Sequence, residues 1–245
     1  MQKGLLTLLL ISLCGGFGTV SAAAETSPKP ATPKEIYDKC AEQAPVTGGG
    51  VAAGQTYALS INSCLQEEIN KQLLISRGQE KANLISKQLD TLLIPMAQFY
   101  IKLHHNRYCD NCGTIAASMH VFNLNGFLQN FLAQVTEQPF PPTGTDRYDF
   151  AIKMADNQTA QCREQKKNSA QECVANLIQK EINKGFRDND IKEGQRLFTS
   201  IYEEMSQMYN SLYPHNQTKA DAALTSQLQE ILADLLYLNE TTESF

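Results

Sequence analysis

The densest group of chemistry-bearing side chains is His104-His105-x-x-x-Cys109-x-x-Cys112, with His120 eight residues further on. Two thiolates with one or two imidazoles can hold Zn tetrahedrally, or Cu(I). The spacing matches no established zinc finger. Haem attachment needs a His directly after the second Cys, and Gly113 stands there. A Cys-x-x-Cys pair also serves thiol exchange when its thiol pKa values are lowered. Here an amphipathic helical stretch precedes the pair, where a thioredoxin has a strand. In an oxidising compartment the two thiols form a structural disulfide and the histidines are bystanders. Staple, metal site and redox pair all remain open at this level. The remaining candidates are poorer. Glu67-Glu68 and Glu203-Glu204 read as solvated helix faces, and Ser86 and Ser200 lack the Gly-x-Ser-x-Gly turn of a hydrolase nucleophile. No catalytic residue is assigned and no enzyme is expected. No cofactor is expected either, outside the Zn or Cu of the metal alternative.

The chain around these residues is globular in composition: 245 residues, 42% hydrophobic and 19% charged. A net charge of −5 with no long basic run argues against nucleic acid. Met1-Gln2-Lys3, the apolar Leu5 to Leu13 and the small residues Ser21-Ala22-Ala23-Ala24 read as a signal peptide over 1–24. Its apolar core is too short to span a bilayer comfortably, and no stable membrane span is expected after its removal. Cys14 is removed with it, leaving six cysteines in an exported chain. An even number there favours disulfides, and the alanine-type cleavage site points to a bacterial periplasm or the medium.

Two Pro-rich linkers, 25–35 and 138–145, bound two helical repeats, 36–137 and 146–245. Ile85, Leu89, Leu92, Met96, Phe99 and Leu103 recur at helical spacing, as do Phe198, Ile201, Met205, Met208 and Leu212. A shift of 109 residues brings Cys64 onto Cys173, Met96 onto Met205, Tyr100 onto Tyr209 and Leu103 onto Leu212. A second helix carries Leu124, Leu128, Phe131 and Val135 in one half, and Leu224, Leu228, Ile231, Leu235 and Leu238 in the other. Here the best shift is 104, so the connecting loop of the first half is expected to be about five residues longer. That loop is expected to hold His104, His105, Cys109 and Cys112. Pro95 interrupts the backbone bonding of the first long helix and should kink it, whereas Glu204 stands at the matching place. The fold expected is all-α, a disulfide-stapled bundle of two related helical-hairpin halves.

Six cysteines permit fifteen connectivities. The repeat singles out Cys40–Cys64 and Cys162–Cys173, leaving Cys109–Cys112, while a cross-half Cys64–Cys173 bridge stays open. Tyr37-Asp38-Lys39-Cys40, followed by Cys64-Leu65-Gln66-Glu67-Glu68 at the head of a helix, resembles the exported LprI-type cysteine-pair domain, named for a lysozyme inhibitor. Cys162 and Cys173-Val174 echo the arrangement. The resemblance covers about thirty residues per half. It implies pairing of the two cysteines and a non-enzymatic, lysozyme-blocking role. The segment between Cys40 and Cys64 is longer than that family's habit, and the Asp and Leu-Asn positions are missing at Arg77 to Lys81.

The function expected is binding or assembly in the bacterial envelope, as a secretion-system component or a lysozyme-inhibitor-like binder of an envelope or secreted protein. The alternative is metal binding or thiol redox chemistry at the Cys109-x-x-Cys112 loop, with His104, His105 and His120.

Overall fold

The computed structural model describes residues 31–45, 48–108, 113–139, 146–166 and 169–242. Among these residues lie eight helices: α1 (Pro33–Gln43), α2 (Val51–Arg77), α3 (Gln79–Tyr108), α4 (Gly113–Thr136), α5 (Asp146–Lys166), α6 (Ala170–Gly185), α7 (Asp188–Leu212) and α8 (Gln217–Thr242). There is no strand among the described residues. None of these helices is long and apolar enough to cross a membrane.

Local chemistry sets the boundaries. Thr32 caps α1 and Ser169 caps α6, each in a reciprocal box with a glutamate three residues on. The Glu35 and Glu172 amides donate to the hydroxyls, and their carboxylates accept from the cap amides. Gly78 separates α2 from α3 at φ 78°, a left-handed backbone that a side chain would strain. Pro95 lies inside α3 without ending it.

The apolar stripes become the core. Ile85, Leu92, Met96, Phe99 and Leu103 of α3 are wholly buried, as are Ile201, Met205 and Met208 of α7. α3 packs along both α4 and α7, α2 packs along α4, and α8 packs along α5 and α6. Residues from Ala31 onward form one compact unit. α3 and α7 run antiparallel, because Lys102 meets Asp190 at 2.6 Å while Asn106, further along, accepts from the Arg187 amide at 2.9 Å.

Two expectations need correction. His104 and His105 do not sit in a longer loop. α3 runs on to Tyr108, so the surplus residues of the first half extend the helix instead. α3 and α7 start 109 residues apart, and α4 and α8 start 104 apart. Cys64 does not open a helix either. It lies midway along α2, which begins at Val51, because Ala52, Ala53 and Ala58 form helix readily and Ala58 and Ile61 find buried sites.

Two disulfides cross-link neighbouring helices. Cys40 of α1 bonds Cys64 of α2, and Cys162 of α5 bonds Cys173 of α6. They close separations of 24 and 11 residues. In the chain-entropy picture these are worth about 3.4 and about 2.8 kcal/mol. Such bonds mark an oxidising, extracytoplasmic location.

Candidate functional site

The residues singled out at the start gather only in part. His104, on the last turns of α3, is 2% exposed and its Nε2 lies 2.7 Å from Asn123 Oδ1 of α4. Burial holds its pKa below the ordinary value. The Asn123 hydrogen bond opposes that shift and the neighbouring His120 adds to it. His120 is half-buried on α4, while His105 points to solvent and lowers the pKa of Asp190, where Lys102 is the main cause. Cys109 and Cys112 lie outside the described residues. Among the described residues no three His, Cys, Asp or Glu side chains converge as metal ligands do.

The acidic pairs take structural places. Glu67 and Glu203 are exposed. Glu68 bridges Lys39 of α1 and Lys71 of α2, at 3.2 and 3.0 Å. Burial pushes its carboxyl pKa up, but the two lysines prevail and hold it below the usual range. Ser86 donates to Asn70 on the facing helix.

Beside His104 runs a polar seam with no counterpart in the sequence reading. Ser118 of α4 donates to Gln55 of α2 at 3.0 Å, and Asn125 donates to Asn62 at 3.0 Å. Asn62 in turn donates to the Val121 carbonyl at 3.0 Å. Both side-chain pairs are separated by 63 residues, so α2 and α4 run parallel and in register. Ala58 and Val121, Leu65 and Leu128, and Ile69 and Leu132 are buried at that same separation. These rungs repeat every seven residues on each helix, the pattern of a coiled-coil seam with two polar layers.

The second half holds a groove between α5 and α6. It encloses about 420 Å³ beside the Cys162–Cys173 bridge. Gln158, Gln161 and Gln165 form one wall, and Asn176, Leu177 and Lys180 face them. Four residues after each helix's cysteine stand Glu68 in the first half and Leu177, a groove residue, in the second.

The chain matches no protein-family model, and no curated protein or solved structure is significantly similar to it. The site is therefore read from its own chemistry. The stapled helices bury one polar seam, between α2 and α4, and leave a lysine- and amide-lined groove open between α5 and α6.

Proposed function

We propose that this is an exported, non-catalytic binding or assembly protein of the bacterial envelope, delivered to the periplasm or the medium by an N-terminal signal peptide. The observation that carries the reading is the pair of disulfides, each pinning one helix to the next within a helical unit. A rigid oxidised frame lowers the entropic cost of presenting a fixed surface to a partner. The carboxylates with lowered pKa serve the frame as well: Glu68, Glu137 and Asp190 each bind lysine or arginine. The partner is an envelope or secreted protein, either a neighbour in a secretion assembly or a lytic enzyme held inactive. The two halves are read as diverged copies, on the strength of helix starts that keep the 109- and 104-residue shifts.

Crosslinking of the natively exported protein in whole cells tests this. A specific crosslinked envelope partner, with a mature chain starting between Ala23 and Glu25, is the expected result. An intact Met1 on the cell-associated chain would overturn export. Absence of any partner would overturn binding. Adding the purified protein to a lysozyme lysis assay separates the two partner types, because only a lysozyme blocker slows lysis.

A second reading has one observation in its favour. His104 and His120 lie near one another on the two helices that flank residues 109–112, and His120 helps to lower the His104 pKa. Metal bound to natively exported protein, or free thiols at Cys109 and Cys112, would move the function to that end of the molecule.

A further inference from the structure

The two disulfides offer an internal comparison. In the first half, Lys39 immediately precedes Cys40, and Glu68 and Lys71 follow Cys64 by four and seven residues. These three close the α1–α2 seam as an ion triad, with the Glu68 carboxylate between two ammonium groups. In the second half, Gln161 immediately precedes Cys162, and Leu177 and Lys180 follow Cys173 by four and seven residues. The carboxylate of the triad is gone. Lys180 keeps the place of Lys71 but makes no ion pair among the described residues. At this level the α5–α6 seam stands open as the groove of about 420 Å³.

From this we infer that the α5–α6 groove binds an acidic peptide segment of a protein partner, whose carboxylate takes the place that Glu68 fills in the first half. Lys180 receives the carboxylate, with Gln161 beside it as a neutral donor in place of Lys39. Gln158, Gln165 and Asn176 each offer both a donor and an acceptor, which suits the backbone of an extended peptide. Leu177 supplies an apolar contact at the floor. The wall carries no aromatic ring on which a sugar could stack, which favours peptide over an acidic oligosaccharide. One carboxylate already lines the groove. Glu181 has a side chain only 3% exposed, and it is occupied by Lys184 at 2.7 Å and Asn239 at 2.7 Å. It therefore leaves Lys180 free for an incoming group.

The site rests on the binding reading above and refines it. The test uses the full mature protein and a fluorescein-labelled decapeptide of alternating Glu and Ala, followed by anisotropy. Saturable binding is expected, with the Gln-for-Glu decapeptide failing to compete. Lys180→Gln should weaken it about tenfold, the worth of one charge-assisted hydrogen bond. Lys71→Gln, the matching change in the closed half, should leave it unaltered. Leu177→Glu restores the missing carboxylate and should abolish binding by pairing internally with Lys180. Because Leu177 is half-buried, the exposed Lys180 variant decides the matter if the other fails to fold. Equal binding of the Gln peptide, no binding at all, or indifference to Lys180→Gln would overturn the assignment. So would displacement of the peptide by an oligouronate that binds more tightly. The envelope crosslink separates the two readings. A partner still crosslinked by Lys180→Gln as well as by wild type removes the groove and leaves the binding function standing. Loss of every crosslink in the wild type removes the function itself.

Discussion

Gly194 shows how closely the core is fitted. A Cβ there would lie 2.8 Å from Cε1 and 2.9 Å from Cδ1 of Phe186, and 3.2 Å from Cγ2 of Ile182. Phe186 is buried and stacks obliquely against Phe99, centroids 5.7 Å apart, so its ring has nowhere to swing. Gly194→Ala should therefore destabilise the fold by about 1–3 kcal/mol, despite alanine's better helix propensity, as overpacking does. Urea unfolding reads this directly, and an unchanged midpoint would show that the ring yields. His104 makes a second prediction at this scale. Its folded pKa lies below the ordinary 6.5 because burial disfavours the charged ring. The unfolded chain then binds more protons as pH falls through that window. His104 contributes full stability above the unfolded pKa, and the contribution is lost as pH drops below it. Stability should fall as pH drops through and below the ordinary 6.5, and His104→Gln should flatten that slope. A variant with the wild-type slope would place the titration elsewhere.

At the scale of elements, the α2–α4 seam decides which helices are neighbours. Asn62 and Asn125 are 5% and 7% exposed, each with its amide satisfied by the other helix or by Gln129. Apolar rungs alone would tolerate a slip along the pair. An Asn–Asn layer does not, because a slipped register buries unpaired amides. Asn62→Ala should cost about 1–3 kcal/mol by stranding Asn125. The double change Asn62→Leu with Asn125→Leu should recover most of that, yet yield a less uniquely ordered seam. Denaturation of both variants, with the dispersion of amide NMR signals, checks the pair of outcomes. A double variant as unstable as the single one would show that the layer acts through packing alone.

At the scale of the molecule, the joint between halves is made from the deepest part of the core. α3 and α7 bury their stripes on one another, and polar links cross at both ends. Lys102 pairs with Asp190 at one end. At the other, Glu137 accepts from Arg77 of α2 at 3.2 Å and Lys219 of α8 at 2.9 Å. Tyr100 also donates to Asp234 of α8 at 2.7 Å. Neither half can expose its stripe to water without losing much of the hydrophobic gain. The mature chain should unfold in one cooperative step in urea, with far-ultraviolet circular dichroism and tyrosine fluorescence superimposing. Two separated transitions would mean that the halves stand alone.

The patterned parts of this architecture were legible from residues alone. Long stripes such as Ile85 to Leu103 and Leu224 to Leu238 report a buried helical face wherever they pack, because the 3.6-residue period is local. The starts of α3 and α7, 109 residues apart, and of α4 and α8, 104 apart, agree with shifts read from the sequence. α5 was less legible: it is polar, with Ala151, Ala155 and Thr159 as its buried residues among those described, and carries no strong stripe. The start of α2 was hidden by glycines that read as a loop. Whether five surplus residues lengthen a loop or a helix depends on packing, and burial of His104 against Asn123 belongs to the helical solution. The parallel register of α2 and α4 joins residues 63 apart, across a whole intervening helix. The groove at Lys180 is formed by the way α5 and α6 meet beside their disulfide. Contacts at that distance leave no period in the chain, and only the tertiary structure decides them.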